Sequence, residues 1–434
     1  MTIPFWTERR AAREMFSIDR QSFSREWVAS EINRISGQPA LRQPFGKLYA
    51  LCHRQPLHLL LLVLYLKEQG SGVLLIPGDT PYETALTTAR QAGADYLSFG
   101  ELDSFTSLST GDRTAPEPGL YQYSSGTTGE PKRIRRPWEA IDREIAAYND
   151  RIGGLGTGQP IILVPVSHSF GLIAGTLSAI ARGTEPRIVQ EQNPKYALRL
   201  LRENPSHLLY AVPFQLHLLH SLAKDELRLD QFISSGAPMT ELLLSRLRPQ
   251  SSRIWQQYGC SELGCIALGA DPAVPSEVGR PLGHLSVACL PLEDESGGEP
   301  LQEIVAVQDG NTVRTRDVGF FDSKGSLHVK GRADDLINVS GFKVLPSEVE
   351  AVIGRMNGIS EVVVHRARHV LWGEAVQALV VASGEVHEKE IKSHCLRELP
   401  KYKVPSVIRL VDEIPKLPSG KISRKQLQEL EESL

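Results

Sequence analysis

Short apolar runs rich in β-branched residues alternate with helix-period segments through roughly the first 270 residues of the chain. The runs SGVLLIPGD, PIILVPV and HLLYAVP are each followed by a segment whose apolar residues recur at helical spacing. Parallel strands need a crossover between them, which is usually a helix, and the resulting sheet is buried on both faces. The sequence therefore predicts an α/β fold in which parallel sheets are covered by helices.

The texture changes near Leu285 to short strands separated by turns, and the string DSKGSL between two apolar runs indicates a hairpin. After GRADDLINVSGFKV, the pattern resembles βαββαβ and is typical of a separate small α+β unit. We therefore expect a large N-terminal domain over 1–333, with stacked parallel-type sheets and a small β-rich subdomain. A small C-terminal α+β domain is expected over 334–434.

The net charge and the cysteine content limit which partners and which cellular compartment are expected for this chain. The net charge is -3 and the pI is near 6.5, so there is no bulk electrostatic case for nucleic acid or an anionic membrane. The five cysteines form no CxxC pair, which favours reduced thiols and a cytoplasmic location. The most apolar stretch, Leu57 to Leu66, has about half the length of a membrane span and is interpreted as a buried helix.

The string QYSSGTTGEPKR at residues 122–133 has the composition of a phosphate-binding loop. Its glycines allow tight turns, its hydroxyl residues can surround an anion, and its lysine adds a positive charge. The residues concerned are Ser124, Ser125, Gly126, Thr127, Thr128, Gly129 and Lys132. The spacing differs from GxxxxGK[ST], and a loop of this composition taken alone is more often a polar surface turn between strands.

Read in order, YSSGTTGEPKR resembles the signature loop of the adenylate-forming superfamily, which contains acyl- and aryl-CoA synthetases, peptide-synthetase adenylation domains and luciferases. Further elements resemble that family in the same chain order: PVSHSFG, SSGAP, QYGCSE, TRD, GRADDLINVSGFKV and PKLPSGKISRKQL. The resemblance implies an ATP-dependent enzyme that converts a carboxylic acid to an acyl-adenylate with release of pyrophosphate. Transfer to a thiol would follow.

The resemblance assigns a role to each matching residue. His168 would stand near the substrate carboxylate, Ser261 would donate to the α-phosphate, and Lys421 would be the catalytic lysine. Glu262 and Thr128 would hold Mg²⁺, for which carboxylate and hydroxyl oxygens are suitable ligands. The nucleotide would be bound by Gly236, Ala237, Tyr258, Gly259, Asp317 and Arg332, with Tyr258 stacking on adenine and Asp317 accepting from the ribose. Asp334 would be the hinge of the C-terminal domain, and Gly341 would let the arm of the acceptor thiol pass.

Departures from the family pattern carry information about this chain. Peptide-synthetase adenylation domains usually have an Asp in the element matching PVSHSFG that pairs with an α-amino group, and its absence argues against an amino-acid substrate. The predicted acid pocket is small or apolar, which fits an aryl or a fatty or polyene acid. Its residues are Ser169, Phe170, Phe214, Cys260, Gly264 and Cys265.

Other departures are arginines and a short N-terminal part. Arg316 replaces a usual glycine, and so does Arg133; the run Arg133, Arg135 and Arg136 is interpreted as a solvated basic face. Only 122 residues precede Tyr123, fewer than the family typically has, so we expect a shortened first subdomain.

The acceptor remains open between coenzyme A and the phosphopantetheine of a separate carrier protein, supplied in trans. An acceptor could dock at the cluster formed by Lys401, Tyr402 and Lys403. Such a cluster is also typical of a solvated turn. Two alternatives remain: an adenylate-forming enzyme with an amine acceptor, and a non-catalytic protein that binds a nucleotide or a partner. Either a monomer or a homodimer is compatible with the sequence.

Overall fold

The computed structural model describes residues 14–108, 115–124, 132–153, 158–190, 193–292, 301–369, 373–384, 386–416 and 422–432. Contacts divide the chain into two compact units. The first comprises Met1–Gly236, Gln250–Leu268 and Leu282–His284, and the second comprises Ala237–Pro249, Gly269–Pro281 and Leu285–Leu434.

The first unit alternates strands with helices. Its strands are β1 Glu14–Ile18, β2 Gln21–Ser24, β3 Leu48–Cys52, β4 Gly72–Ile76, β5 Tyr96–Phe99, β6 Phe105–Ser107, β7 Gly119–Ser124, β8 Lys132–Arg136, β9 Gln159–Ile162, β10 Arg187–Ile188, β11 His207–Ala211, β12 Leu229–Ser234, β13 Ser251–Cys260 and most of β14 Gly264–Ala270. Its helices are α1 Arg25–Ser36, α2 Pro56–Glu68, α3 Tyr82–Gln91, α4 Trp138–Ile152, α5 Ser178–Arg182, α6 Pro194–Glu203 and α7 Pro213–Ala223, with a π-helix at Phe170–Leu177.

Two sheets form this unit. One has the order β6-β5-β3-β4-β7-β8, with parallel pairing in its centre and antiparallel pairing at both edges. The other runs β14-β13-β12-β11-β9-β10-β1-β2, and the pairs from β13 to β1 are parallel. Residues of β3, β4 and β11 are buried along their whole length, as expected of parallel strands covered on both faces. The predicted parallel α/β architecture is confirmed.

Helix α2 illustrates how the sequence builds this core. Pro56 occupies its first turn, where a missing N–H costs nothing, and every residue from His58 to Leu66 is buried. A helix that is apolar on all sides must be surrounded, and each fully buried leucine contributes about 1.5–3 kcal/mol. The interpretation of this stretch as a buried helix is correct. Among the described residues, no helix is long and apolar enough to cross a membrane.

The second unit contains an antiparallel sheet and an α+β layer. Its elements are α8 Glu241–Leu247, β15 Glu277–Pro281, β16 Ser286–Pro291, β17 Gln302–Gln308, β18 Asn311–Phe321, β19 Leu327–Arg332, β20 Ile337–Val339, β21 Phe342–Val344, α9 Pro346–Gly354, β22 Ile359–His369, β23 Gly373–Ala382, α10 Glu388–Glu398, β24 Val407–Leu410 and α11 Arg424–Glu432. The antiparallel order is β16-β17-β18-β19-β15, and the smaller sheet runs β21-β20-β23-β22 with β24 parallel to β23. The predicted hairpin is the β18–β19 turn, where the Asp322 carboxylate accepts from the N–H groups of Lys324 and Ser326.

Candidate active site

Predicted site residues of the first unit gather at one edge of its larger sheet. Strands β9, β11, β12 and β13 run parallel, so their carboxyl ends lie together. His168 lies on the segment after β9, Gly236 follows β12, and Tyr258 stands near the end of β13. Gly236 has φ +87°, a conformation that glycine adopts without strain.

The turn Ser261–Leu263 joins β13 to β14 and carries two predicted site residues, Ser261 and Glu262, both half-exposed. Its two ends approach so closely that a Cβ on Gly259 would overlap the carbonyl oxygen of Gly264. Within the turn, burial and the negative charge of Glu262 raise the pKa of the Cys260 thiol to about 12. Cys260 is therefore a neutral thiol at physiological pH.

A buried ion pair supports the base of this turn. Arg136 at the end of β8 contacts Glu144 of α4, and the two side chains are 2% and 3% exposed. The other oxygen of Glu144 accepts a hydrogen bond from the backbone N–H of Cys265 at 2.7 Å. The interpretation of Arg136 as part of a solvated basic face is thus wrong, because strand alternation turns its side chain into the core. Arg133 lies over Tyr121, and Arg135 contacts Glu117 at the surface.

The element that begins at His168 enters the π-helix. His168 is exposed, Ser169 donates to the Gln122 side chain of β7, and Phe170 packs against Tyr210 with ring centroids 5.9 Å apart. A Cβ on Gly171 would overlap the Pro165 carbonyl, so the glycine lets the helix start directly against the strand end.

The residues predicted to line the acid pocket differ widely in solvent exposure. Gly264 and Cys265 are buried, Phe170 is half-buried, and Phe214 on α7 is 45% exposed. Sequence reasoning missed a polar pair in the same unit: the Tyr148 hydroxyl donates to Oε1 of Gln257 at 2.9 Å. Burial raises the pKa of Tyr148, which keeps the phenol neutral. The only sequence signal for Gln257 was its place directly before Tyr258.

In the second unit, Asp317 is nearly buried on β18. Its N–H donates to Oγ1 of Thr315 at 3.1 Å, and its carboxylate lies 3.5 Å from Nη1 of Arg332. The carboxylate of Asp334 lies 3.3 Å from the same guanidinium. Burial alone would lower the pKa of Arg332, but the two nearby carboxylates more than offset this effect, so the pKa is raised. The predicted ribose-binding and hinge residues are therefore linked through one guanidinium.

Arg316 adopts φ +60°, which accounts for the glycine that the family usually has there. Its backbone N–H donates to Glu303, a fully buried carboxylate that is also paired with Arg314 at 2.7 Å. Gly341 also has a positive φ, +91°, and its N–H donates to Asn338. Ala237 opens the first segment of this unit.

The other predicted residues belong to the phosphate loop, to the C-terminal lysine element and to the possible acceptor surface. Lys132 is exposed at the start of β8, where it pairs in register with Ser124 at the end of β7. The residues outside the described part of the chain are Ser125, Gly126, Thr127, Thr128, Gly129 and Lys421. Lys403 contacts Glu348, and Tyr402 stacks on Phe342 at 4.7 Å.

Mg²⁺ is the metal that the family resemblance implies for this site. Within the described ranges there is no group of three or more His, Cys, Asp or Glu residues that could hold a metal ion. Mg²⁺ in nucleotide enzymes is bound through one or two carboxylates, together with substrate phosphates and water, rather than by an all-protein cage. A single half-exposed carboxylate, Glu262, on a turn at the carboxyl edge of a parallel sheet fits that requirement.

The turn with Ser261 and Glu262 lies at the carboxyl edge of a parallel sheet, which is where open α/β sheets bind their ligands. A family model described as AMP-binding enzyme matches residues 61–312, and one described as AMP-binding enzyme C-terminal domain matches residues 348–421. The chain belongs to this family, the adenylate-forming superfamily. The five cysteines are free thiols in this structure.

Relatives extend over most of the chain. The 3,4-dihydroxybenzoate–[aryl-carrier protein] ligase of Bacillus anthracis is 41% identical over 414 residues, 95% of this chain and 98% of that protein. A fatty acid–[acyl-carrier-protein] ligase of Streptomyces coeruleorubidus is 29% identical over 85% of this chain and 77% of that protein. The chain is an ATP-dependent acid–thiol ligase, which confirms the predicted activation of a carboxylic acid and its transfer to a thiol.

Solved structures share the fold. O-succinylbenzoate coenzyme A synthetase from Bacillus subtilis, in complex with AMP, superimposes with a TM-score of 0.81 over 98% of both chains at 19% identity. ATP-bound MatB from Rhodopseudomonas palustris gives a TM-score of 0.83 over 99% of both chains at 19% identity.

Proposed function

We propose that this enzyme activates a hydroxylated aromatic acid of the dihydroxybenzoate class and transfers it to the phosphopantetheine thiol of a separate aryl carrier protein. The observation that carries the proposal is the 41% identity to the Bacillus anthracis ligase, which extends over 95% of the chain. The relatives named as fatty-acid ligases, from Streptomyces coeruleorubidus and Mycobacterium tuberculosis, are 29% and 27% identical.

The described residues support an aromatic acid with hydroxyl groups. Half-buried Phe170 packs on the buried ring of Tyr210, and the Tyr148–Gln257 pair provides neutral hydrogen-bonding groups in the same unit. Because the Tyr148 hydroxyl donates to Oε1 of Gln257, the amide Nε2 of Gln257 is left to donate to a substrate oxygen. Neutral polar groups suit a phenolic hydroxyl better than they suit an alkyl chain.

The adenylation step is assigned to the residues that the family motifs name. Tyr258 would stack on the adenine, Asp317 would accept from the ribose, Ser261 would donate to the α-phosphate, and Glu262 would hold the metal. Mg²⁺ would neutralise charge on the phosphates. Lys421 and the loop from Ser124 to Lys132 stabilise negative charge that grows as the carboxylate attacks and pyrophosphate leaves. His168 orients the carboxylate, so no protein nucleophile is required.

We further propose that 334–434 acts as the mobile C-terminal domain, with Asp334 as its hinge. Rotation about such a hinge would let one site carry out adenylation and thioester formation in turn. Five free thiols are compatible with action in the cytoplasm.

The acid is tested by acid-dependent exchange of labelled pyrophosphate into ATP. The panel contains 3,4-dihydroxybenzoate, 2,3-dihydroxybenzoate, benzoate, octanoate and phenylalanine. We expect kcat/KM for a dihydroxybenzoate to exceed that for octanoate at least about hundredfold, since a site built to pair hydroxyls penalises a substrate without them. Equal or higher exchange with octanoate would reject the aromatic substrate.

The acceptor is tested with the preferred acid and three candidate acceptors: holo carrier protein, coenzyme A and a simple primary amine such as ethanolamine. Apo carrier protein is the control, because it lacks the phosphopantetheine thiol. Thioester formation should require the holo carrier. Faster transfer to coenzyme A would identify an acyl-CoA synthetase instead, and amide formation without a thioester would identify an amine acceptor.

A further inference from the structure

The Arg136–Glu144 ion pair joins two elements that the proposed function assigns to phosphate handling. Arg136 ends β8, the strand that leaves the phosphate loop at Lys132. Glu144 lies on the following helix, α4, and accepts from the N–H of Cys265, three residues after Glu262. The pair therefore connects the loop exit to the turn that carries Ser261 and Glu262.

The turn is shaped to receive this pair. Gly264 has φ +74°, and a Cβ built on it would overlap the carboxylate of Glu144 and lie 2.6 Å from Nη1 of Arg136. Any side chain at position 264 would therefore displace the pair. Gly259, on the opposite side of the turn, meets the carbonyl of Gly264. The base of the turn is thus packed on one side by backbone and on the other by two opposite charges.

Burial of the Arg136–Glu144 pair carries a large desolvation cost. Both side chains are at least 97% buried, and Nε and Nη1 of Arg136 make no hydrogen bond. Replacing a buried pair of this kind with apolar residues is often neutral or stabilising, so a buried pair is weak evidence for a role in stability. The pair does contact all three of β8, α4 and β14, the strand that follows the turn, so its partners lie on separate elements.

We propose that Arg136 and Glu144 are positioning residues for nucleotide and metal binding. Their ion pair fixes the Ser261–Glu262 turn relative to the strand that leaves the phosphate loop, so that Glu262 meets the Mg²⁺ carried by the ATP phosphates. This inference rests on the proposed roles of Ser261 and Glu262. The indirect supports of a metal ligand typically change metal affinity by about 10–100-fold when they are removed.

The test measures binding of ATP to the full-length enzyme by calorimetry across a series of MgCl₂ concentrations, with no acid present. Glu144→Gln keeps the shape of the side chain but removes its charge. We expect the MgCl₂ concentration that half-saturates tight ATP binding to rise by about tenfold. Weak ATP binding measured in EDTA should stay within about twofold of the wild type, because the adenine and ribose contacts are made by other residues.

The double variant Arg136→Met/Glu144→Met separates positioning from stability. It leaves no unpaired buried charge, so its midpoint of unfolding should be at or above that of Glu144→Gln. Its MgCl₂ requirement should nevertheless remain raised by about tenfold, because the Cys265 N–H has lost its charged acceptor. If the double variant regains the wild-type MgCl₂ requirement together with its stability, the positioning role is rejected. The double variant also serves as the test if Glu144→Gln does not fold.

Two further variants complete the design. Asp142→Asn lies on the same helix and breaks a different ion pair, with Lys67 at 2.9 Å, so it should bind ATP with the wild-type MgCl₂ dependence. Glu262→Ala should lose the MgCl₂-dependent part of binding. If Glu262→Ala retains it, the proposed metal site itself is wrong, whereas loss in Glu262→Ala with wild-type behaviour of Glu144→Gln would reject only the positioning role.

Discussion

The guanidinium of Arg316 lies against the carboxylate of Asp334, with its Nε and Nη2 atoms 3.2 and 3.1 Å from Oδ1. Arg332 contacts the other oxygen of the same carboxylate at 3.3 Å. The residue that replaces a usual glycine within β18 therefore touches the residue proposed as the hinge. It does so from a backbone conformation, φ +60°, that an arginine adopts only at a cost.

Substitution of Arg316 separates the ion pair from the backbone strain. Arg316→Gly loses the half-exposed pair, worth about 0–1 kcal/mol, and relieves a left-handed conformation that costs about 1 kcal/mol. We expect the free energy of unfolding to change by less than about 1 kcal/mol. Arg316→Ala loses the pair and keeps the strain, so it should be less stable than Arg316→Gly by about 1 kcal/mol in urea unfolding. Equal stability of the two variants would show that the turn is not strained.

The close approach of Gly259 to Gly264 predicts that a side chain at position 259 lowers the rate of adenylation. Gly259→Ala would force the added methyl group into the Gly264 carbonyl, and the turn carrying Glu262 would have to shift. A displacement of about 1 Å in a site of this kind lowers the rate about hundredfold, which we expect in ATP–pyrophosphate exchange. Gly283→Ala is the matched control, because a Cβ there meets no atom within 4 Å. Comparable exchange rates in the two variants would contradict the constraint.

Several parts of this architecture followed from the sequence, because the information for them is local. Periodicity indicated the parallel sheets, and the DSKGSL string indicated the β18–β19 hairpin. The ordered motifs identified the family for the same reason, since each motif is a short local string. Arg136 was misread because the run of arginines resembles a charged surface, and only the alternation of β8 shows which member of the run points inward.

The histidine pair of the smaller sheet in the first unit predicts a pH dependence of stability. His53 is 3% exposed, with Nδ1 3.0 Å from the Gly100 carbonyl and Nε2 3.0 Å from Ser98 Oγ. Burial lowers the pKa of His53 to about 4, with the neighbouring His58 contributing in the same direction. The unfolded chain binds a proton near pH 6.5, so the stability that His53 contributes is complete above that pH and is lost as the pH falls toward 4.

The measurement is urea unfolding at pH 7, 6, 5 and 4.5. The contribution of His53 amounts to about 3 kcal/mol across the full interval from its unfolded to its folded pKa. His53→Gln should therefore lose less stability than the wild type as the pH falls. His217→Gln, at an exposed position, should keep the wild-type slope. Parallel curves for the wild type and His53→Gln would rule out the buried neutral ring as a source of acid sensitivity.

Other contacts in the site join residues that are distant in the chain, and no local sequence pattern predicts such contacts. Glu144 and Cys265 are 121 positions apart, and Tyr148 and Gln257 are 109 positions apart. Both pairs arise because α4 packs beside the edge of the sheet where β13 ends and β14 begins. A glutamate and a tyrosine four residues apart on an amphipathic helix look like ordinary core-facing or surface residues until the strand against that helix is known.

Lys421 provides the most direct test of the adenylation chemistry. A positioned cation that meets charge only in the transition state is worth about 10²–10³ in rate, so Lys421→Ala should reduce acid-dependent pyrophosphate exchange by that factor. Transfer from a chemically prepared acyl-adenylate to the thiol should stay near the wild-type rate, because the lysine is proposed to act in the first step only. Lys416→Ala is the matched control: Lys416 lies five positions earlier and pairs with Glu361 at 2.9 Å, and its loss should leave both steps unchanged. Wild-type exchange by Lys421→Ala would overturn the assignment of this residue.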